Sequence, residues 1–296
     1  MSVATSPVSE PVRLPTLLAT YPHTAPLKNG EVTSPRVTLD FKDVQPVWSG
    51  FKAMVRERAF EVSEMAVVTY LIAKSFGKPM VLLPAVMTAR VQHAFAVYNS
   101  EHGTLPPPQL AGKRVGIRSF TTTTGAWLRG MFANDYGLDL ERVNWVTFEE
   151  PHVAEYKDTT ERAAPGKKII PMLLDGELDA VLGDRSDDPR VKSLFGDPDA
   201  AAKAWVAKHK IVPLNHFVVV SAELARLRPD IVTEVYTQLR ESRRRAVAAG
   251  ATPPPFGLEA CRPALEKIIS YAAQQRLIPR RFTVDELFDD TTRKMI

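Results

Sequence analysis

The chain has 296 residues, of which 45% are hydrophobic and 24% are charged, a balance typical of a folded globular protein with a sizeable core. Its length exceeds that of one simple domain and predicts either two lobes or one large α/β unit. The formal net charge is only +4 and the basic residues are spread along the chain, which argues against a nucleic-acid-binding protein and fits small anionic ligands.

Cysteine usage and hydropathy exclude further classes. Cys261 is the single cysteine, so an intramolecular disulfide and a thiolate metal cluster are both excluded. No stretch approaches the roughly 18 consecutive apolar residues that span a bilayer. The first residues, MSVATSPVSEPVRLP, lack the basic start and the apolar run of a secretory signal. We therefore expect a cytoplasmic protein without a membrane partner.

The amino-terminal part predicts a flexible tail followed by strands. Residues 1–12 are rich in Ser, Pro and Val, and residues 14–20 predict the first strand. A proline two residues after Thr20 stops that strand and leaves His23 at its carboxyl end, where ligands collect in open α/β sheets. His23 is therefore a candidate site residue, although an exposed loop histidine is the simpler interpretation.

Two further groups of polar residues stand at strand ends. Residues 59–66 alternate like a short strand and lead into a helix over 67–76, with the acid Glu64 near the junction. An apolar run over 80–86 predicts a buried strand, and Arg90 and His93 then precede the next strand, 94–98. Two cation-forming side chains this close together predict a polar pocket, whereas a surface arginine and a buried, satisfied histidine are the alternative.

The stretch from 109 to 136 reads as strand, polar turn and helix. Arg118 follows the predicted strand 114–117, and four consecutive threonines, 121 to 124, precede the helix. Threonines are natural N-caps, and the free N–H groups of the first turn, with the positive end of the helix dipole, form an anion site. This pattern predicts a carboxylate site, with simple helix capping as the alternative.

The remaining candidates lie in the second half of the chain. Asp184 and Arg185 follow the strand 181–183, where they could bind a ligand or pair with each other. Asn215 and His216 precede an apolar strand, as His93 precedes strand 94–98. Two such strands flank a block of roughly a hundred residues, which predicts two crossings between lobes.

We accordingly predict an α/β fold with two lobes, each a mixed sheet flanked by helices. Residues 13–104 and 214–296 would form the first lobe, residues 105–213 the second, and the ligand cleft would lie between them.

Eight segments after the tail carry a family resemblance: residues 61–65, 69–73, 92–93, 110–116, 124–130, 144–147, 215–219 and 257–262. In combination and order they resemble the 4,5-dihydroxyphthalate decarboxylase family, over nearly the whole chain. Two departures bear on the substrate. Residues 254–257, Pro-Pro-Phe-Gly, stand where the family usually has Trp-Pro-Tyr-Gly, and the four threonines replace a more varied polar loop.

The resemblance implies a fold like that of type II periplasmic binding proteins, with a double-stranded hinge and a cleft for an aromatic dicarboxylate. It implies decarboxylation of 4,5-dihydroxyphthalate to protocatechuate and CO2 during phthalate degradation, by ring protonation followed by CO2 loss. We expect neither a cofactor nor a metal. A metal site assembled from Glu64 and the histidines at 23, 93, 152 and 216 is the alternative. No two of these residues, however, have the short helical spacing of a metal-binding motif.

The roles follow from what decarboxylation requires, namely an acid at the carboxyl-bearing carbon and a base for a ring hydroxyl. The candidate catalytic residues are His93, His216 and Glu64, with Glu64 as the base. The candidate substrate-binding residues are Arg90, Arg118, Thr122, Thr123, Thr124, Arg185, Asn215 and His23.

Two other functions remain open at the level of the sequence. The same fold could serve a solute-binding protein that delivers an aromatic acid or a sulfonate to an ABC transporter. The second of these alternatives is a ligand sensor without catalytic activity. The apolar content of the last two helices is compatible with a homo-oligomer or with helices that cover the first lobe.

Overall fold

The computed structural model describes residues 10–296, which form two β-sheets flanked by helices. The strands are β1 (Val12–Leu17), β2 (Val37–Phe41), β3 (Val62–Ala66), β4 (Met80–Ala89), β5 (Ala96–Asn99), β6 (Arg114–Ile117), β7 (Asn144–Thr147), β8 (Glu161–Arg162), β9 (Ala180–Leu182), β10 (Val191–Ser193) and β11 (Leu214–Ser221). The helices are α1 (Ala25–Lys28), α2 (Phe51–Glu57), α3 (Val67–Ser75), α4 (Thr123–Asp135), α5 (Ile169–Leu174), α6 (Pro198–His209), α7 (Ala222–Leu227), α8 (Pro229–Ala248) and α9 (Leu258–Gln274).

Most of the tail predicted over residues 1–12 lies outside the described residues, which begin at residue 10. Its last residue, Val12, already belongs to β1 and pairs with Val37 of β2. Among the helices of residues 10–296, none combines the length and the apolar character that a membrane crossing requires.

The sheet of the first lobe has the strand order β2-β1-β3-β11-β4. It is mixed, because β1 runs parallel to β2 and β3 whereas β11 runs antiparallel to β3 and β4. The central strand β11 is apolar on both faces: Val219 packs into one hydrophobic core, and Val218 and Val220 pack into the other. A strand covered on both faces reads as a continuous apolar run, which is the pattern of this segment.

The sheet of the second lobe has the order β10-β5-β9-β6-β7-β8 and is also mixed. Strand β5 belongs here, since it pairs with β9 and β10, so the boundary predicted between residues 104 and 105 is placed too late. The proline-rich stretch that suggested the boundary is a loop within the second lobe. The first crossing lies between β4 and β5, and the second lies between α6 and β11.

The two crossings are bonded to each other. The backbone N–H of Arg90 donates to the carbonyl of Pro213 at 2.9 Å, and Nε2 of Gln92 donates to Oδ1 of Asn215 at 2.8 Å. The two chain segments that connect the lobes therefore run side by side, as the sequence predicted.

Helix α9 joins the lobes a third time, although it follows β11 in the chain. Its Tyr271 ring lies 5.7 Å from the Trp127 ring of α4, and Gln275, just after α9, donates to the carbonyl of Ala126 at 2.8 Å. Trp127 also donates from Nε1 to the carbonyl of Leu214 at 3.0 Å. Helix α9 thus packs on the first lobe, one of the two alternatives expected for the last helices, and on the second lobe as well, because one hydrophobic core contains residues of both lobes.

Candidate active site

A cleft with a volume of about 910 Å³ lies between the lobes. It opens where strands of both sheets end, which is where ligands bind in open α/β sheets. We call its two sides the first-lobe wall and the second-lobe wall. The first-lobe wall comprises Tyr21, Trp48, Phe51, Ala66, Thr69, Met87 to Arg90, Asn215, His216 and Thr252 to Pro255. The second-lobe wall comprises Phe95, Arg118, Ser119, Thr121 to Thr124, His152, Leu182, Gly183 and Asp184.

An acid and a histidine meet behind the first-lobe wall. Nδ1 of His216 lies 2.6 Å from Oε1 of Glu64. The register explains the contact: Val218 of β11 faces Glu64 of β3, so His216, two residues away on the same face, is the diagonal neighbour of the acid. The pairing of these two strands thus brings together two predicted residues that are far apart in the sequence.

Glu64 is wholly buried, and its carboxylate is well supplied with donors. Besides His216, Oε1 accepts a hydrogen bond from the Tyr21 hydroxyl at 2.7 Å, and Oε2 accepts one from the backbone N–H of Ala19 at 3.1 Å. Burial and then the Glu64 charge raise the pKa of Tyr21, which therefore remains a donor. Glu64, the candidate base, does not line the cleft, so it is separated from a ligand there by the side chains of His216 and Tyr21.

His216 and Tyr21 are the members of this group that reach the cleft. The contact of His216 with Glu64 favours the tautomer with a proton on Nδ1. Within residues 10–296, the hydrogen bond of this ring is the one to Glu64, so Nε2 can serve a ligand. The Phe51 ring meets the imidazole edge to face at 5.2 Å and fixes its orientation.

The second-lobe wall presents hydrogen-bond donors. Helix α4 begins at Thr123, and Thr122 is its N-cap residue in an extended conformation. The threonine turn lines the cleft, where the first-turn N–H groups and the positive end of the dipole favour an anion. The Thr123 hydroxyl accepts a hydrogen bond from the backbone N–H of Val68 at 3.2 Å. The Thr123 hydroxyl is thus engaged in a hydrogen bond with the first lobe. The backbone N–H groups of the first turn and the other threonines are left for a ligand.

Two arginines add positive charge to the cleft. Arg90 lies over the Phe95 ring at 4.1 Å, and its Nη2 makes a long hydrogen bond, 3.4 Å, to the Thr124 hydroxyl. Desolvation and then the neighbouring Arg185 lower the pKa of Arg90. Arg118 lies 3.5 Å from a carboxylate oxygen of Glu149, and both side chains are partly exposed. A carboxylate bound beside Arg90 would relieve the repulsion between Arg90 and Arg185.

His93, by contrast, lies outside the cleft. It is 1% exposed and packs against the rings of Phe195 at 4.6 Å and Trp205 at 6.4 Å. Burial lowers the pKa of His93 to about 4. It begins a short 3-10 turn in which Phe95 faces the cleft instead. The catalytic role predicted for His93 is incompatible with this position.

Two predicted binding residues lie beside the cleft without lining it. His23 is buried and its ring stacks on Tyr21 at 5.3 Å, so it supports a lining residue from behind. Arg185 is exposed near the rim, 5.5 Å from the Phe95 ring. Its backbone N–H donates to the side chain of Asp184 at 2.8 Å. Asn215, in contrast, lines the cleft as predicted and is held by Gln92.

His152 is a lining residue that the site prediction omitted. Its Nδ1 lies 3.0 Å from the Thr69 hydroxyl, and its ring is edge-on to Phe51 at 6.0 Å. Burial and then the charge of Arg118 lower the pKa of His152 to about 4, so the ring is neutral at neutral pH. The residue follows strand β7, and the strand-end rule that singled out His23 would also have found it. The same rule would have found Tyr21.

The comparisons with known proteins agree with this geometry. The chain is 27% identical to 4,5-dihydroxyphthalate decarboxylase from Comamonas testosteroni over 234 residues, which are 74% of this chain and 71% of that protein. It is 28% identical to 4,5-dihydroxyphthalate decarboxylase from Pseudomonas putida over 201 residues, 62% of this chain and 78% of that protein. The resemblance predicted from the sequence is confirmed. No protein-family model matches the chain.

Solved structures confirm the fold. The periplasmic aliphatic sulphonate binding protein SsuA from Escherichia coli superimposes with a TM-score of 0.56 at 11% identity, over 90% of this chain and 92% of that one. The chain thus has the two-lobed fold of the periplasmic binding proteins, with two mixed sheets and a cleft between the lobes.

Proposed function

We propose that this protein is a carboxy-lyase that removes CO2 from a hydroxylated aromatic dicarboxylate, with 4,5-dihydroxyphthalate as the first candidate substrate. The observation that carries the proposal is the buried pair of Glu64 and His216, which faces a cleft whose other wall offers donors for carboxylates. The similarity to two proteins named 4,5-dihydroxyphthalate decarboxylase supports the same reading.

The cleft suits an aromatic ring that carries two anionic groups. Apolar side chains from both walls offer surfaces for the ring, namely Phe51, Met87, Phe95 and Leu182. The carboxylates would bind Arg90, Arg118 and the first turn of α4, because guanidinium groups and helix N-termini both bind carboxylates.

The reaction consumes one proton and releases one CO2. Protonation at a carboxyl-bearing carbon forms a C–H bond and interrupts the aromaticity of the ring. A hydroxyl para to that carbon donates electron density and stabilises this intermediate. The bond to the carboxylate then breaks, its electron pair returns to the ring, and CO2 leaves.

His216 is the proton donor in this proposal. Glu64 stabilises the His216 imidazolium before the proton is transferred. The imidazole of His216 then regains a proton from water after each turnover. His152, which is neutral at neutral pH, accepts a hydrogen bond from the ring hydroxyl. Each histidine thus has a different task, set by its partner: a buried carboxylate for His216 and a hydroxyl for His152.

The test is to incubate metal-stripped protein with 4,5-dihydroxyphthalate and to follow substrate loss and protocatechuate formation by chromatography. We expect turnover without an added cofactor and in the presence of a strong chelator. His216→Asn should abolish most of the turnover. A melting temperature that rises with ligand while no product forms would refute the decarboxylase and favour a solute-binding protein. The cytoplasmic location stays a prediction.

A further inference from the structure

Arg129, in the second turn of α4, is 0% exposed and is among the largest wholly buried side chains of the described residues. Its Nε donates to Oε1 of Gln275 at 2.8 Å, and its Nη2 donates to the carbonyl of Phe120 at 2.7 Å. The guanidinium also lies 3.9 Å from the centre of the Phe120 ring. All of these partners are uncharged.

A buried cation without a buried anion is costly to fold. Removing a guanidinium from water costs several kcal/mol, and neutral hydrogen-bond partners return only part of that. Burial accordingly lowers the pKa of Arg129 to about 9, a value at which the group is still charged at neutral pH. Tyr156 and Asp158 act in the opposite direction, but within residues 10–296 no carboxylate lies at ion-pair distance from Arg129, so an anion bound nearby would stabilise this charge further.

The guanidinium lies directly behind the threonine turn. Side chains of an α-helix lean toward its N-terminus, so Arg129 reaches back along α4. A β-carbon placed on Gly125 would lie 3.1 Å from Nη1 of Arg129 and 2.9 Å from the hydroxyl oxygen of Thr122. Both of these atoms are buried and lack a hydrogen-bond partner within residues 10–296. The positive charge therefore sits just beneath the surface that the cleft presents to a ligand.

We propose that Arg129 is a positioning residue of the carboxylate site, which holds the threonine turn through the Phe120 carbonyl and adds a buried positive charge behind the first turn of α4. It does not touch the ligand. Its charge acts through a medium of low polarity, where it is weakly screened. The identity of the ligand rests on the proposed function, whereas the preference for a carboxylate rests on the geometry.

The test is the affinity for phthalate, a dicarboxylate without ring hydroxyls, measured by calorimetric titration. We expect Arg129→Met to weaken phthalate binding about 10-fold or more and to leave the affinity for catechol, a neutral ring, within about 2-fold. The matched control is Arg276→Met, which removes the same charge from a neighbouring side chain that is 83% exposed. We expect this control to bind phthalate like the parent protein.

Arg129→Lys keeps the assay informative if the methionine variant fails to fold. A buried lysine loses its proton more readily than arginine does. Phthalate affinity of this variant should therefore fall as the pH rises from 6 to 8, while that of the parent protein stays level. A purely structural role predicts the same pH profile for both. Parent-like phthalate affinity of a folded lysine variant at every pH would refute the inference.

This result is separable from the proposed function. If the parent protein binds phthalate but does not turn over 4,5-dihydroxyphthalate, the carboxy-lyase is refuted while the role of Arg129 stands. If turnover is found and Arg129→Lys binds phthalate like the parent protein at every pH, the carboxy-lyase stands while the role of Arg129 is refuted.

Discussion

The two walls of the cleft are each backed by a fully buried charge, but the two charges are balanced differently. Behind the first-lobe wall, the Glu64 carboxylate accepts hydrogen bonds from the Tyr21 hydroxyl and the backbone of Ala19 and contacts His216. Behind the second-lobe wall, Arg129 has only neutral partners. The first wall is therefore complete in the free protein, as proton transfer requires. The second wall has no ion-pair partner for Arg129 within the described residues, so a bound anion would add one.

The largest expected effect comes from removing the charge of the first wall. Glu64→Gln keeps the shape of the side chain but no longer stabilises the His216 imidazolium, so we expect kcat to fall about 10²- to 10⁴-fold. Phthalate affinity should change little, because Glu64 does not line the cleft and is not one of the proposed carboxylate-binding residues. Steady-state kinetics and calorimetry measure the two quantities. Unchanged kcat in the folded variant would contradict the division between the walls.

The second effect concerns the cations of the cleft. Arg90→Gln removes a guanidinium whose hydrogen bond within the described residues is a long one to Thr124. We expect KM to rise about 10- to 100-fold while kcat stays within a few-fold, since charged hydrogen bonds contribute about 1.5–3 kcal/mol each. Arg185→Gln, at the rim, is the matched control and should raise KM by much less. An equal rise in both variants would place the binding cation elsewhere.

A smaller effect is expected at the histidine that binds the ring hydroxyl. His152→Asn should lower kcat about 10-fold, because it weakens one hydrogen bond to the substrate without removing the proton donor. Thr69→Val, which leaves the histidine in place but removes its partner at 3.0 Å, should cause a part of the same loss. If the threonine variant loses nothing, the orientation of His152 does not depend on that contact.

The smallest effect on turnover is expected at His93, which should be dispensable. Burial holds the pKa of His93 near 4 in the native state, against an ordinary value of 6.5, so the unfolded chain binds more protons in that range. Stability is therefore lost as the pH falls from 6.5 toward 4, by up to about 3 kcal/mol from this group. His93→Phe should keep full turnover and remove that loss, as urea unfolding at pH 7 and pH 4.5 can measure. Loss of turnover in a folded His93→Phe variant would show that His93 has a role in catalysis.

Local patterns in the sequence located the walls, but they could not assign side chains to faces. Both His93 and His216 precede apolar strands. His216, however, lies within β11 with its side chain toward Glu64, whereas His93 lies in a tight turn and points into an aromatic cluster. A shift of one residue moves a side chain to the other face of a strand, and only the strand register reveals it.

The buried arginine could not be recognised from its own neighbourhood. Arg129 lies in the helix that follows the threonine turn, and an arginine in a helix normally faces solvent. Its burial depends on Gln275, which is 146 residues away along the chain. His152, in contrast, follows β7 and was open to the strand-end rule, but its polar loop has no periodicity and its partner Thr69 belongs to the other lobe.

The packing of α9 on α4 also has a consequence for synthesis of the chain. Gly130 meets the Tyr271 ring so closely that a β-carbon there would lie 2.0 Å from a ring atom, and this contact closes the core shared by both lobes. A ribosome adds residues from the amino terminus onward and domains generally fold as they emerge. Helix α4 must therefore wait for residues 258–274 before its apolar face is covered. Until translation is almost complete, the side of Trp127 that packs on Tyr271 stays uncovered, which makes the nascent chain prone to aggregate.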